Sequence, residues 1–213
     1  SLGETANTTQ WGLKFFSDNL VLALPLAAEP NPASVVQFVI RCVQHYQFRM
    51  ALNGLFLRGA LTQGAICLTD EIIFGQALVE GYRLESKVSI VPRVLIAEPL
   101  LSHLSLAEPP RQASLANETI CRDVDGWWFV NYLQVSQKDG AIQWEFIEQH
   151  KQSILNSLSS TTRHDVLPKF GWACRYHNVF CHWHRSDAGY SDRYRIDRVD
   201  EQSTILRPCD VSP

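Results

Sequence analysis

LKFFSDNLVLALPL, residues 13–26, is the stretch from which the rest of the chain is read. Two apolar, β-prone runs, residues 13–16 and 20–24, flank Ser17-Asp18-Asn19. Polar residues between two such runs predict a tight hairpin with Asp18 at its bend. Beyond it come Pro25, Pro30 and Pro32, and then Ser34, placed to cap a helix in which Val35, Val36, Val39, Ile40, Val43, Tyr46 and Met50 recur at helical spacing. That helix is expected to run to about residue 52. Residues 55–62 alternate like a strand around Arg58 and Gly59, and a Gln63-Gly64 turn leads into the short run 65–68, which predicts a second hairpin. With a helix over 76–87 after Gly75 and a strand over 90–97, the first hundred residues read β-β-α-β-β-α-β. The fold class expected is α+β, a mainly antiparallel sheet with helices on one face.

Residues 101–119 hold Pro109-Pro110 without a clear period and read as surface loop. Downstream, GWWFVNYL at 126–133 is strongly β-prone, residues 143–158 form an amphipathic helix, and 166–184 a second helix starting near Pro168. These add a C-terminal strand and two helices. At 213 residues with 46% hydrophobic and 19% charged residues, the chain suits one domain spanning 1–213, its core at about 12–97 and an extension at about 119–200. A net charge of -3 offers no basic stripe for a phosphate backbone, which argues against nucleic-acid binding. No apolar run is long enough to span a membrane, since residues 20–28 are broken by Pro25. Residues 1–10 are polar, unlike a secretory leader, and the six cysteines fit free thiols, so a cytoplasmic location is expected.

Three places carry chemistry-bearing side chains. Asp18 lies between apolar runs, where a carboxylate is costly to bury unless it is paired or metal-bound; a solvated turn Asp is the plain alternative. Arg58 sits within a strand and could simply pair with a carboxylate. Arg83 falls two turns inside the helix after Gly75, three residues past a possible partner, Glu80. A fourth signal, Cys174, His177, Cys181 and His184, mimics zinc-ligand spacing. On one helix all four would share a face along nearly three turns, which a single ion could not span.

In their order, KFFSDN at 14–19, RGALTQG at 58–64 and FGQALVEGYRLES at 74–86 resemble the class III nucleotide cyclases, over about residues 12–97. The resemblance implies a ferredoxin-like cyclase homology domain. It makes Asp18 a metal ligand, Lys14 a base-recognising, substrate-binding residue, and Arg83 the catalytic arginine that steadies the transferred phosphoryl group. It further implies two divalent ions, Mn²⁺ or Mg²⁺, and a homodimer whose active sites lie at the interface, with Arg83 supplied by the opposite subunit. The chain departs from the family at Val79, where an Asn orients the ribose, and at Ile72, where an Asp reads adenine. A second metal carboxylate, expected on a strand upstream of the hairpin, is not in this sequence; that strand is either truncated away or absent.

GWWFVNYL, Glu148 to Lys151 and KFGWACRYHN at 169–178 are similar to the pyrimidine cyclases of the Pycsar antiphage systems. That branch implies conversion of UTP to 3',5'-cyclic UMP and pyrophosphate as a second messenger in antiviral defence. A cytidylate cyclase, an adenylate or guanylate cyclase, and a non-catalytic nucleotide-binding domain are the alternatives. Within this reading Lys169 is a candidate for the triphosphate tail, whereas Tyr176, His177 and Asn178 are assigned to helix packing.

Overall fold

The computed structural model describes residues 12–16, 19–26, 29–69, 71–104 and 119–196. The opening hairpin is present: β1 (Gly12–Phe16) pairs antiparallel with β2 (Asn19–Ala23), Lys14 opposite Val21 and Phe15 opposite Leu20. Ser17 and Asp18, on which the bend was expected, lie outside the described residues.

Helix α1 (Pro32–Leu52) ends where the periodicity placed it, but its cap is Asn31 rather than Ser34. Pro32 has no N–H to satisfy and a preset φ, so it fits the first helical position, and the Asn31 carboxamide oxygen accepts from the Ser34 N–H at 3.2 Å. The buried stripe also differs from the expected one. It runs through Val36, Ile40, Gln44, Gln47, Phe48, Ala51 and Leu52, while Tyr46 faces solvent. Gln44 is acceptable inside because its Nε2 donates to the Asn131 carbonyl at 2.8 Å. Gly54, at φ +79°, then reverses the chain, with Leu55 N–H bonded to Met50 O.

The second hairpin is corrected. Strand β3 (Gly59–Leu61) pairs in parallel with β6 (Val94–Ile96), and β4 (Cys67–Leu68) pairs instead with β5 (Ile73–Phe74). Between β5 and β6 come α2 (Gln76–Arg83) and a π-helical turn, Leu84–Val88. After α3 (Glu98–Leu101) and a 3-10 turn, β7 (Ile120–Arg122) and β8 (Trp128–Val130) complete a four-stranded sheet in the order β3-β6-β8-β7. The sheet is therefore mixed: β6–β8 and β8–β7 are antiparallel, as expected of most pairings, and β3–β6 is the parallel exception. β6 reads Val-Leu-Ile, buried throughout, as befits a central strand with a neighbour on either side.

Apolar packing also covers both faces of this sheet rather than one. Leu95 of β6 joins Phe129 and Cys121 in a cluster with the C-terminal end of α1 and the two long helices that close the described chain. Its neighbours Val94 and Ile96, pointing the opposite way, join Ile120 and Val130 in a second cluster with Val36, Ile40, Leu100 and Leu104. The two long helices are α4 (Trp144–Ser160) and α5 (Leu167–Trp183), close to the expected spans. The β-prone stretch yields only β8, after which residues 132–136 turn as a 3-10 helix into a short hairpin, β9 (Gln137–Lys138) and β10 (Ala141–Ile142). The architecture is α+β: five α-helices among the described residues, a mixed four-stranded sheet and small hairpins. None of these helices is long and apolar enough to cross a membrane.

One buried ion cluster ties these layers together. Arg93, just before β6 and 2% exposed, donates to Asp123 and Asp125 in the β7–β8 turn, and Trp172 Nε1 of α5 donates to the same Asp123 oxygen at 2.7 Å. Asp123 also accepts from Val124 N–H at 2.8 Å, so its carboxylate is fully engaged.

Candidate functional site

The elements of the cyclase-like reading meet on one side of the chain. Gly12 at the start of β1 lies against Leu68 of β4, so close that a Cβ would fall within the leucine side chain. β4 continues through a turn closed by Thr69, whose N–H reaches the Ile72 carbonyl at 2.8 Å and whose hydroxyl accepts from Ile72 N–H at 3.0 Å. β5 then delivers the chain to Gly75. This glycine holds φ +145°, and a Cβ on it would stand 2.7 Å from the Ile66 Cα. The close approach lets Ala77 N–H bond the Ala65 carbonyl at 3.2 Å, while the Thr62 hydroxyl donates to the Ala77 carbonyl at 2.9 Å. Small residues and two hydrogen bonds thus lash α2 onto residues 62–66, and α2 itself contains no buried residue.

Arg83 is the last residue of α2 and is exposed. Its Nε and Nη2 donate to the two carboxylate oxygens of Glu80, both at 2.7 Å, a bidentate pair that lowers the Glu80 carboxyl below its ordinary pKa and raises that of the guanidinium. The following π turn buries Leu84 and turns Glu85 toward Arg58, whose Nε donates to it at 2.6 Å. The two arginines of the sequence reading therefore each hold a carboxylate of this chain. Lys14 stands half-buried on β1. The elements carrying Lys14 and Arg83 meet through the Gly12–Leu68 contact, the β4–β5 ladder and Gly75. Asp18 lies outside the described residues.

The two positions at which the sequence departs from a purine reader, Ile72 and Val79, are both exposed, Val79 at 68%. Neither presents a polar group beyond the backbone. Around them Phe15, Phe74 and Tyr82 are exposed as well, Phe15 at 71%. Among the described residues no group of three or more His, Cys, Asp or Glu side chains is arranged to hold a metal ion. Glu80 and Glu85 are committed to arginines, so the described residues do not form the carboxylate cage that two divalent ions need.

The zinc-like series on α5 is spent on protein contacts. His177 Nε2 bonds the Tyr194 carbonyl at 2.8 Å, Cys181 Sγ lies 3.7 Å from the same nitrogen, and His184 Nδ1 pairs with Asp187 at 2.7 Å. Burial raises the Cys181 thiol to about 12 and also raises Cys174. No disulfide joins the described cysteines. Tyr176, His177 and Asn178 pack the C-terminal helix as expected: Tyr176 Oη donates to Asn131 Oδ1 at 2.6 Å and accepts from Leu133 N–H at 3.0 Å, and Asn178 bonds both backbone groups of Ile196.

Sequence reasoning left the carboxylate partner of Arg58, Glu85, unnamed and missed the Gly12–Leu68 contact and the Arg93–Asp123–Asp125 cluster. The partners in the first and last are about thirty positions apart, with no periodic signal linking them. Comparison with protein-family models, curated proteins and solved structures finds no match.

Proposed function

We propose that this chain is the cyclase unit of a metal-dependent pyrimidine nucleotide cyclase, converting UTP to 3',5'-cyclic UMP and pyrophosphate as a second messenger in antiphage defence. The observation that carries the reading is the meeting of its three motifs. The Lys14 hairpin touches β4, β4 pairs with β5, β5 leads through the tight Gly75 junction into the helix that ends at Arg83, and Thr62 of the 58–64 motif bonds the Ala77 carbonyl of that helix. In this reaction the ribose 3'-oxygen forms a bond to the α-phosphorus, the bond from that phosphorus to the pyrophosphate oxygen breaks, and the 3' proton passes to solvent. Arg83 exchanges its present anion, Glu80, for phosphoryl oxygens, and its planar fork suits charge that grows in the transition state. Lys14 is assigned to the base. Mn²⁺ or Mg²⁺ is carried from the resemblance as a requirement, with Asp18 as its ligand.

A homodimer belongs to the same proposal. α2 buries none of its residues, and exposed Phe15, Val79 and Tyr82 lie on the elements that bear Lys14 and Arg83, with exposed Phe74 on β5 leading into α2. A second copy packed there would cover these side chains and bring Arg83 of one subunit to a substrate held by the other. A different reading, nucleotide binding without turnover, draws on the apolar side chains at Ile72 and Val79.

The test is incubation of the chain with Mn²⁺ and each of ATP, GTP, CTP and UTP in separate reactions, with products identified by mass. Cyclic UMP is expected, and its loss in Asp18→Asn with fold and dimer retained. Cyclic CMP would keep the chemistry and move the base, and a cyclic purine would overturn the pyrimidine assignment. Triphosphate binding without any cyclic product, from a folded dimer, would leave the binding reading in its place.

A further inference from the structure

α4, α5 and the 3-10 turn Asp192–Tyr194 enclose two histidines joined through their Nδ1 atoms. His177 Nε2 lies 2.8 Å from the Tyr194 carbonyl, which can only accept, so that nitrogen carries the proton and Nδ1 is bare. His150 Nδ1 lies 3.0 Å from the bare nitrogen and must therefore be the donor. This leaves His150 Nε2 to accept from the Tyr132 hydroxyl at 3.0 Å. One proton arrangement satisfies every atom, with both imidazoles neutral and both wholly buried.

The chain of bonds ends on a strap, residues 193–196, laid across α4 and α5. The Tyr194 ring stacks on Trp144 at 5.0 Å, Lys151 Nζ holds the Arg193 carbonyl, and the Asn178 carboxamide grips the N–H and carbonyl of Ile196 at 2.8 and 2.9 Å. We propose that the His150–His177 pair is an acid-released latch for this strap: neutral, it fastens residues 194–196 to α5, and proton uptake lets them lift. This inference is independent of the cyclase reading.

An added proton has no good place while the latch is closed. On His177 it sets two N–H groups against each other unless His150 moves its own proton to Nε2, toward the Tyr132 hydroxyl, and the charge then sits on a wholly buried ring stacked on His150. The groups around the pair do little to welcome it. From the strap the Tyr194 carbonyl favours a charge on His177, though less than burial opposes it, and Arg195 faces Cys181; from α4, Lys151 opposes the charge and Glu148 favours it; α5 contributes Tyr176 and Cys181, and the turn after β8 contributes Tyr132. Burial holds His177 down to about 4 and His150 well below its ordinary value, the neighbouring His177 adding to the latter.

Lifting the strap opens His177 to water, where it regains a pKa near 6.5. Closure is therefore fully favoured above pH 6.5 and is lost progressively as pH falls toward 4. Each pH unit in that window raises the opening constant by up to about tenfold, or about 30-fold between pH 7.5 and 5 from His177 alone.

The test is hydrogen exchange of the full chain at the Ile196 amide, which bonds Asn178 Oδ1, with intrinsic exchange divided out to give opening constants at pH 7.5 and 5. A rise of about 30-fold is expected at Ile196, with no comparable rise at the core amide of Ile40, and His177→Gln should hold the strap without the pH dependence. A constant that stays within threefold, or an equal rise at Ile40, overturns the latch. Nitrogen-15 histidine spectra of the unaltered protein give a check that needs no variant: at pH 6 His177 should be the neutral Nε2–H form and His150 the neutral Nδ1–H form. An imidazolium at either position overturns the proposal.

Discussion

Replacing Gly75 with Ala measures how tightly the Arg83 helix is held, and Gly54→Ala supplies its internal reference. Both glycines lie at positive φ, +145° and +79°, but a Cβ at Gly54 meets nothing within 4 Å, whereas at Gly75 it stands 2.7 Å from Ile66 Cα and 3.1 Å from the Ala65 carbonyl carbon. Gly54→Ala should therefore cost only the left-handed backbone, roughly 1 kcal/mol. Gly75→Ala adds a backbone region nearly closed to other residues, about 1–3 kcal/mol, to an overpacking cost of about 1–3 kcal/mol. The expected excess over Gly54→Ala is about 3 kcal/mol, on the order of 100-fold in an equilibrium constant. Because α2 buries no residue, the strain is relieved by lifting the helix rather than by unfolding the core. The assay is accordingly amide exchange at Ala77, whose N–H bonds the Ala65 carbonyl, together with nucleotide turnover. Opening at Ala77 no greater in Gly75→Ala than in Gly54→Ala would refute the close approach and the anchoring argument with it.

Three further outcomes follow from named contacts. Asp123→Asn leaves Arg93 charged and 2% exposed without its buried partner, so urea unfolding should show a loss of about 3–5 kcal/mol, while Asp125→Asn, whose side chain is 44% exposed, should lose less than about 1 kcal/mol. Arg93 holds the Asp125 carboxyl below its ordinary pKa against the opposing effect of burial, so the Asp125 contribution is present above pH 4 and fades as pH falls further; equal losses in the two variants would contradict the burial argument. In the proposed cyclase, where the guanidinium would strengthen its contact as charge develops, Arg83→Ala should lower kcat more than it raises KM, and a pure rise in KM would remove that role. Glu80→Gln takes away the anion that occupies Arg83 in the free protein, so the KM for the triphosphate should fall severalfold at low ionic strength; an unchanged KM would mean that Glu80 does not compete with substrate.

Where the sequence signal is local, the structure follows it closely. The end of α1, the opening hairpin and both C-terminal helices come from periodicity and turn chemistry that a few neighbouring residues carry. Pairing across the sheet is another matter. Alternation around Gly59 marks a strand without naming its partner, and residues 65–68, a few positions on, are a nearer candidate than β6. The parallel β3–β6 pair is decided instead by β6, whose three buried apolar residues need neighbours on both sides. Gln44 and Gln47 escaped a hydropathy reading for a related reason. Gln44 is buried because its amide bonds the Asn131 carbonyl, a partner 87 positions away.

The same distinction separates the candidate site from the stable part of the molecule. Large apolar side chains left exposed are concentrated before residue 91, on β1, β2, β5 and α2 among others, while α4, α5 and the sheet supply most of the buried core. Lys14 and Arg83 thus stand on elements that bury little in a single chain. Removing either side chain takes nothing from the Leu95–Phe129–Trp172 core or from the Arg93 cluster. A variant at Lys14 or Arg83 that loses turnover while keeping its unfolding midpoint would therefore report on the reaction or on subunit contact, and native gel filtration of the same sample separates those two causes.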